Sequence, residues 1–239
     1  MQSVDPKQDS RPFHRRHKGT ILLVTLLLLI LLTPLIQLFE DSKLLNMLLT
    51  TIVVAASVNA ISHRKRSILY VAVCLASLAV IFGWLEAFYT DDIRRSADTF
   101  ETADLHQILS NSLAAILYMF VAVLLFKVIL MEDKITVDQI FAGVVIYIFI
   151  GLTWGHFYAL TDIFNTEPIS GISVSADTMK APVSEYMYFS FVTLTTLGYG
   201  DMFPVASIDK ALAIIEAVTG VMFVAILVST LVGRVNMRR

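Results

Sequence analysis

The chain has 239 residues, of which 56% are hydrophobic and 16% charged, with a mean hydropathy of +0.74 and a net charge of -2. A water-soluble globule cannot hide that much apolar surface, so the solvent implied by the composition is a lipid bilayer. The near-neutral balance excludes the broad basic field that tracks phosphate backbones, and no nucleic acid partner is expected.

Residues 1–19 are polar and carry Arg11, Arg15, Arg16 and Lys18. They read as a cytoplasmic N-terminal segment. Residues 20–39 form the first apolar run. It is too long for the apolar part of a secretion signal, contains Pro34 and ends in Phe-Glu-Asp in place of a small-residue cleavage site, so it reads as a membrane helix. Further apolar runs cover residues 44–61, 68–89, 108–131, 140–160 and 211–232. Each is close to the roughly 20 residues a helix needs to cross a bilayer core, and backbone groups in lipid bond internally only in a helix. The pattern predicts an all-α membrane protein with six transmembrane helices. Cys74 stands alone inside the third run, with no second cysteine to pair with. Trp84 and Tyr89, near the far end of that run, read as interfacial anchors.

A seventh apolar stretch, residues 186–197, is too short to cross. Pro182 and Ser184 precede it and Gly198 and Gly200 follow, which predicts a re-entrant helix over 184–195 that returns as extended chain. Ser184 is the candidate N-cap. Backbone of that kind is stable at membrane depth only where protein or water surrounds it.

Six crossings put both termini on one face, and basic residues say which. Twelve Lys and Arg lie on the side of the termini (Lys7, Arg11, Arg15, Arg16, Lys18, Arg64, Lys65, Arg66, Lys134, Arg234, Arg238, Arg239), against five opposite (Lys43, Arg94, Arg95, Lys180, Lys210). Both ends are therefore expected in the cytoplasm of a cell membrane, plasma or inner. The acidic segments with Asp91, Asp92, Asp98, Glu101 and Asp104, then Asp162, Glu167 and Asp177, face outward as loops. The polar stretch 132–138 divides the chain into a four-helix part, 20–131, and a second part, 132–239.

Residues 193–201 read Thr-Leu-Thr-Thr-Leu-Gly-Tyr-Gly-Asp. Thr196, Leu197, Gly198, Tyr199, Gly200 and Asp201 match the Thr-Val/Leu-Gly-Tyr-Gly-Asp filter string, and here the chain resembles the potassium channel family. The resemblance is specific over about 140–232 and only topological over 20–131. It implies a homotetrameric pore in a lipid bilayer, in which K⁺ is held by backbone carbonyls of Thr196, Leu197, Gly198 and Tyr199 and by the Thr196 hydroxyl, with potassium ions the only bound species and no catalysis. Carbonyls of consecutive residues face one axis only if backbone hands alternate, which glycine permits at 198 and 200. Asp201 is expected to accept hydrogen bonds from groups behind the filter. Thr193 and Thr195 end the pore helix, whose negative C-terminal end faces the cavity centre.

Gly220 lies nineteen residues after Asp201, where the resemblance implies a flexible glycine in the pore-lining helix. It is the candidate hinge, or a packing glycine. Val221, Val224, Val228 and Val232 recur at helical spacing and form either a dewetting gate or a packing stripe. Glu216, one turn before Gly220, is a costly intramembrane acid, either a structural brace paired with hydroxyls such as Ser190 or Thr193, or an ion site. His156 beside Trp154 is either packed or a titrating group of the outer pore.

The run 108–131 holds no arginine and one lysine, Lys127. A voltage sensor needs three or four charges per subunit, so ordinary voltage gating is not expected. The paired tryptophans of many relatives are replaced by Tyr188-Phe189, and the last helix lacks a Pro-x-Pro bend. The chain ends seven residues past Val232, so no soluble regulatory domain is expected. Clustered His, Asp or Glu of the kind a membrane enzyme needs is not seen in the spans.

Overall fold

In the computed structural model, the described residues are 18–36, 42–61, 66–96, 100–131, 136–164, 169–173 and 181–236. Seven helices account for almost all of them: α1 (Lys18–Ile36), α2 (Ser42–Ile61), α3 (Arg66–Ser96), α4 (Phe100–Met131), α5 (Val137–Phe164), α6 (Val183–Leu194) and α7 (Ser207–Asn236). Two two-residue strands, β1 (Ile169–Ser170) and β2 (Phe203–Pro204), pair antiparallel, with Ile169 opposite Pro204 and Ser170 opposite Phe203.

Among the described residues, four helices are long and apolar enough to cross a membrane, over Ile68–Leu85, Leu105–Met131, Val137–Phe164 and Ser207–Gly233. The apolar windows of α1 and α2 are shorter, Gly19–Leu32 and Thr50–Asn59. The 12-residue α6 rises about 18 Å, well short of a ~30 Å hydrocarbon core. The chain is thus an almost wholly helical, multi-pass membrane protein.

The expected acidic outer loop is mostly helix. With 31 and 32 residues, α3 and α4 each run about 47 Å, and their backbones carry Asp91, Asp92, Glu101 and Asp104 within the helices, leaving only 97–99 between them. Apolar windows mark the lipid-contacting part of a helix, and hydrogen bonding continues past it where charged residues keep good helix propensity. Most of residues 1–19 and the charges Arg64, Lys65, Lys134, Glu167, Asp177, Lys180, Arg238 and Arg239 lie outside the described residues.

The start of α5 is written locally. Thr136 and Gln139 form a capping box: the Gln139 amide donates to Thr136 Oγ1 (3.3 Å) and the Thr136 amide donates to Gln139 Oε1 (3.1 Å). One residue away, Asp138 Oδ1 accepts from the amide and hydroxyl of Thr20 at 2.9 and 3.1 Å, tying the start of α1 to the start of α5.

The core centres on α5, which packs on α4, α6, α1 and α7 and buries Val145, Phe149, Tyr158 and Ala159 almost completely. Its small residues set the spacing to α6. Gly151 and Gly155, one turn apart, face Phe191 and Met187, also one turn apart; a Cβ on Gly151 would lie 2.6 Å from Phe191 Cε1. Backbones approach closely because no side chain intervenes. Gly143 admits Leu227 of α7 in the same way, with a Cβ meeting Leu227 Cδ2 at 2.8 Å. By contrast α7 is apolar yet mostly uncovered by its own chain: Ile214 is 67% exposed and Val218 57%.

Gly151→Leu is expected to overpack the α5–α6 contact and cost about 1–3 kcal/mol, read as a lower thermal midpoint in detergent. Gly233→Ala, where an added Cβ meets open space, should leave that midpoint no lower.

Candidate functional site

Helix α6 begins at Pro182, not Ser184. Pro182 is the N-cap residue, in extended conformation (φ -67, ψ 148), with no side-chain cap; Ser184 falls inside the first turn. The Glu185 amide, which a serine cap there would serve, donates instead to the Pro182 carbonyl at 3.0 Å.

The other end of α6 defines the site. The last four carbonyls of a helix lack intrahelical partners, and here each finds one. Phe191 O accepts from the amide (3.1 Å) and hydroxyl (2.6 Å) of Thr195. Val192 O accepts from the amides of Leu197 (2.9 Å) and Gly198 (3.3 Å), and Thr193 O from that of Thr196 (2.9 Å). Leu194 O accepts from the hydroxyl of Tyr147 on α5 (3.0 Å). In a trans peptide the carbonyl points opposite to the next residue's N–H, and none of the described peptide bonds is cis. With the Leu197 and Gly198 amides turned back to Val192, the carbonyls of Thr196 and Leu197 point away from α6.

Backbone hand alternates along the same stretch. Thr196, Gly198 and Gly200 have positive φ of 56, 55 and 82, and no other non-glycine residue described does so besides Thr196. Gly198 and Gly200 take this conformation at no steric cost, whereas a β-branched threonine there stores strain of order 1–3 kcal/mol. Residues 195–201 are all exposed on the single chain, Tyr199 by 66%.

The outer end of the loop is clasped from two sides. Tyr188 of α6 donates its hydroxyl to Asp201 Oδ2 at 2.7 Å, and the Met202 amide donates to Asp201 Oδ1 at 3.0 Å. The Tyr188 hydroxyl holds the Asp201 carboxyl below its ordinary value of 3.8, while the carboxylate pushes the tyrosine up to about 12. Gly171, after β1, has φ 85 and sits so close to the Asp201 carbonyl oxygen that any Cβ would collide with it. Neither Gly171 nor the Tyr188 contact is marked by sequence spacing.

Behind α6, Glu216 is fully buried. Its Oε1 receives the hydroxyl of Ser190 (2.5 Å) and its Oε2 the hydroxyl of Tyr158 (2.7 Å), joining α7 to α6 and α5. Ser190 also bonds Gly151 O at 2.8 Å. Thr193 makes no contact with this carboxyl among the hydrogen bonds described. Gly220, one turn on, is buried with a Cβ position that would strike the carbonyl of Leu194, so it is a close-packing contact between α7 and the end of α6. Val221, Val224, Val228 and Val232 are each about half exposed, at 57%, 47%, 53% and 53%. His156 is packed: Nδ1 lies 2.8 Å from Asn111 Oδ1 on α4, and its ring stacks on Tyr118.

Residues 146–236 match the family model described as an ion channel. That match takes in most of α5, all of α6, the loop and α7, and it supports an ion channel function for the chain. No curated protein and no solved structure matches the chain.

Glu216→Ala leaves the buried Tyr158 hydroxyl without its acceptor, while Ser190 keeps Gly151 O, and should destabilise the fold by roughly 1–3 kcal/mol. Glu216→Gln, which keeps an acceptor and a donor in place, should retain most of the thermal midpoint. Asp201 has a depressed folded-state value, so its bond to Tyr188 contributes fully above the ordinary carboxylate range and is lost as pH falls through that lower value. Tyr188→Phe should raise the Asp201 midpoint toward 3.8, followed by carbon NMR of labelled aspartate.

Proposed function

We propose that the chain is a subunit of a potassium-selective channel, a homotetramer in which four copies of residues 196–201 surround one axis. The observation that carries this reading is the conformation of that loop: alternating backbone hand at Thr196, Gly198 and Gly200, with amides bonded back to α6 and the Thr196 and Leu197 carbonyls directed away from it. Such oxygens replace the hydration shell of a permeating K⁺. Together with Gly198, Tyr199 and the Thr196 hydroxyl they form the ion-binding ladder, with Asp201 outside it.

The exposed apolar surface of α7, including Ile214, Val218 and Val221, supports assembly, since part of it is covered by neighbouring copies and part by lipid. The valine series 221, 224, 228 and 232 lines the inner wall of the conduit. In this reading α1 and α2, whose apolar windows are shorter, cross together with the four longer helices, and the distribution of basic residues supports both termini in the cytoplasm. Lys127 is the one Lys or Arg in α4, so the four-helix part is no ordinary voltage sensor.

Purified protein in liposomes should pass K⁺ and reject Na⁺ in bi-ionic reversal measurements. At Gly198, φ is 55 and an added Cβ meets no atom, so the defect in Gly198→Ala is conformational, about 1–2 kcal/mol of left-handed strain per subunit, and K⁺ preference should be lost. Equal permeation of both ions by the unmodified chain would refute potassium selectivity.

A further inference from the structure

The four-helix part contains a cavity of about 230 Å³ between α2, α3 and α4. This exceeds the roughly 150 Å³ of an apolar cavity able to admit benzene. Gly83 of α3 forms part of its wall, and a Cβ built there meets nothing within 4 Å, so a side chain at this position would project into open space. Every wall residue belongs to an apolar segment at bilayer depth, in Thr50–Asn59, Ile68–Leu85 or Leu105–Met131, so an occupant reaches it from the membrane.

The cavity has a polar end and an apolar end. Thr50, Thr51, Trp84 and Ser110 lie toward the side where α3 finishes and α4 begins, and the Trp84 indole donates to Thr51 Oγ1 at 3.2 Å. Val54, Ala79 and Leu117 form the deeper end. Among the described residues no Lys, Arg, His, Asp or Glu lines it, so an ionised head group would be buried there without a counter-charge from them, at high cost. Beside it, Val80, Ile81, Trp84 and Leu85 form an apolar strip on α3 that shares Val80 and Trp84 with the cavity wall, and Ile81 is exposed there.

We infer that the cavity binds a single-chain neutral amphiphile from the bilayer, of the medium-chain alcohol class, with its hydroxyl at the Thr51–Trp84–Ser110 end and its chain toward Leu117. The inference stands apart from the pore reading, because it concerns only α2, α3 and α4.

The test uses the full chain in lipid vesicles with 8-bromo-1-octanol, whose bromine quenches an indole on contact; subtracting the signal of Trp84→Phe isolates Trp84 from Trp154. Saturable quenching of Trp84 is expected, with affinity weakened about tenfold or more in Gly83→Leu, and with no saturable quenching by ionised 8-bromooctanoate. Gly83→Ala, which adds one methyl to open space, should give an intermediate loss and serves if the leucine variant does not fold. Quenching that stays linear with alcohol and is equal in all variants would overturn the site, and equal binding of the carboxylate would overturn its neutral-head specificity.

Discussion

The carbonyls at the C-terminal end of α6 cannot be left without partners. The helix is 12 residues long, and its last four carbonyls have no partners within it. The chain meets this by folding the next four residues back on the helix: Thr195, Thr196, Leu197 and Gly198 supply amides, and Tyr147 supplies a hydroxyl from α5. Turning those amides inward turns the attached carbonyls outward. The capping of α6 and the presentation of the Thr196 and Leu197 oxygens are therefore one structural event, and the positive φ of Thr196 is its conformational cost.

Everything behind the loop keeps α6 where that event can occur. The paired glycines of α5 let Phe191 and Met187 approach, and Gly220 lets α7 reach the Leu194 backbone. Glu216 then joins three helices through Ser190 and Tyr158. Ser190 carries one hydroxyl hydrogen but lies within bonding distance of both Gly151 O and Glu216 Oε1. That single hydrogen is shared between the two acceptors, which ties α5, α6 and α7 at one point.

Much of this was legible in the residue order, and the remainder has an identifiable cause. Apolar length marked the four long membrane helices, α3, α4, α5 and α7, and Gly198 and Gly200 marked the loop because left-handed backbone has a residue preference. The brace at Glu216 was foreshadowed by the cost of an acid among apolar residues, and Ser190 was among its nameable partners. Tyr158, 58 positions away, was not, because only the docking of α5 brings it near. The Gly171 contact with Asp201 depends on the β1–β2 pairing, a ladder of two residues too short to leave a periodic signal. The ends of α3 and α4 were misplaced because hydropathy reports contact with lipid, whereas a helix continues as long as its hydrogen bonds do.

The attachment between Asp138 and Thr20 carries a mechanical consequence. Five residues separate Met131 from Val137, a leash of roughly 22 Å at full stretch. The Asp138 carboxylate fastens a second helix, α1, to the same turn of α5. A torque applied to the four-helix part thus arrives at one end of α5 through two anchorages, in its own subunit. Along its length α5 also carries Gly151, Gly155 and Tyr158, so the helix tied to α1 at its start is the same one that packs on α6 and reaches Glu216.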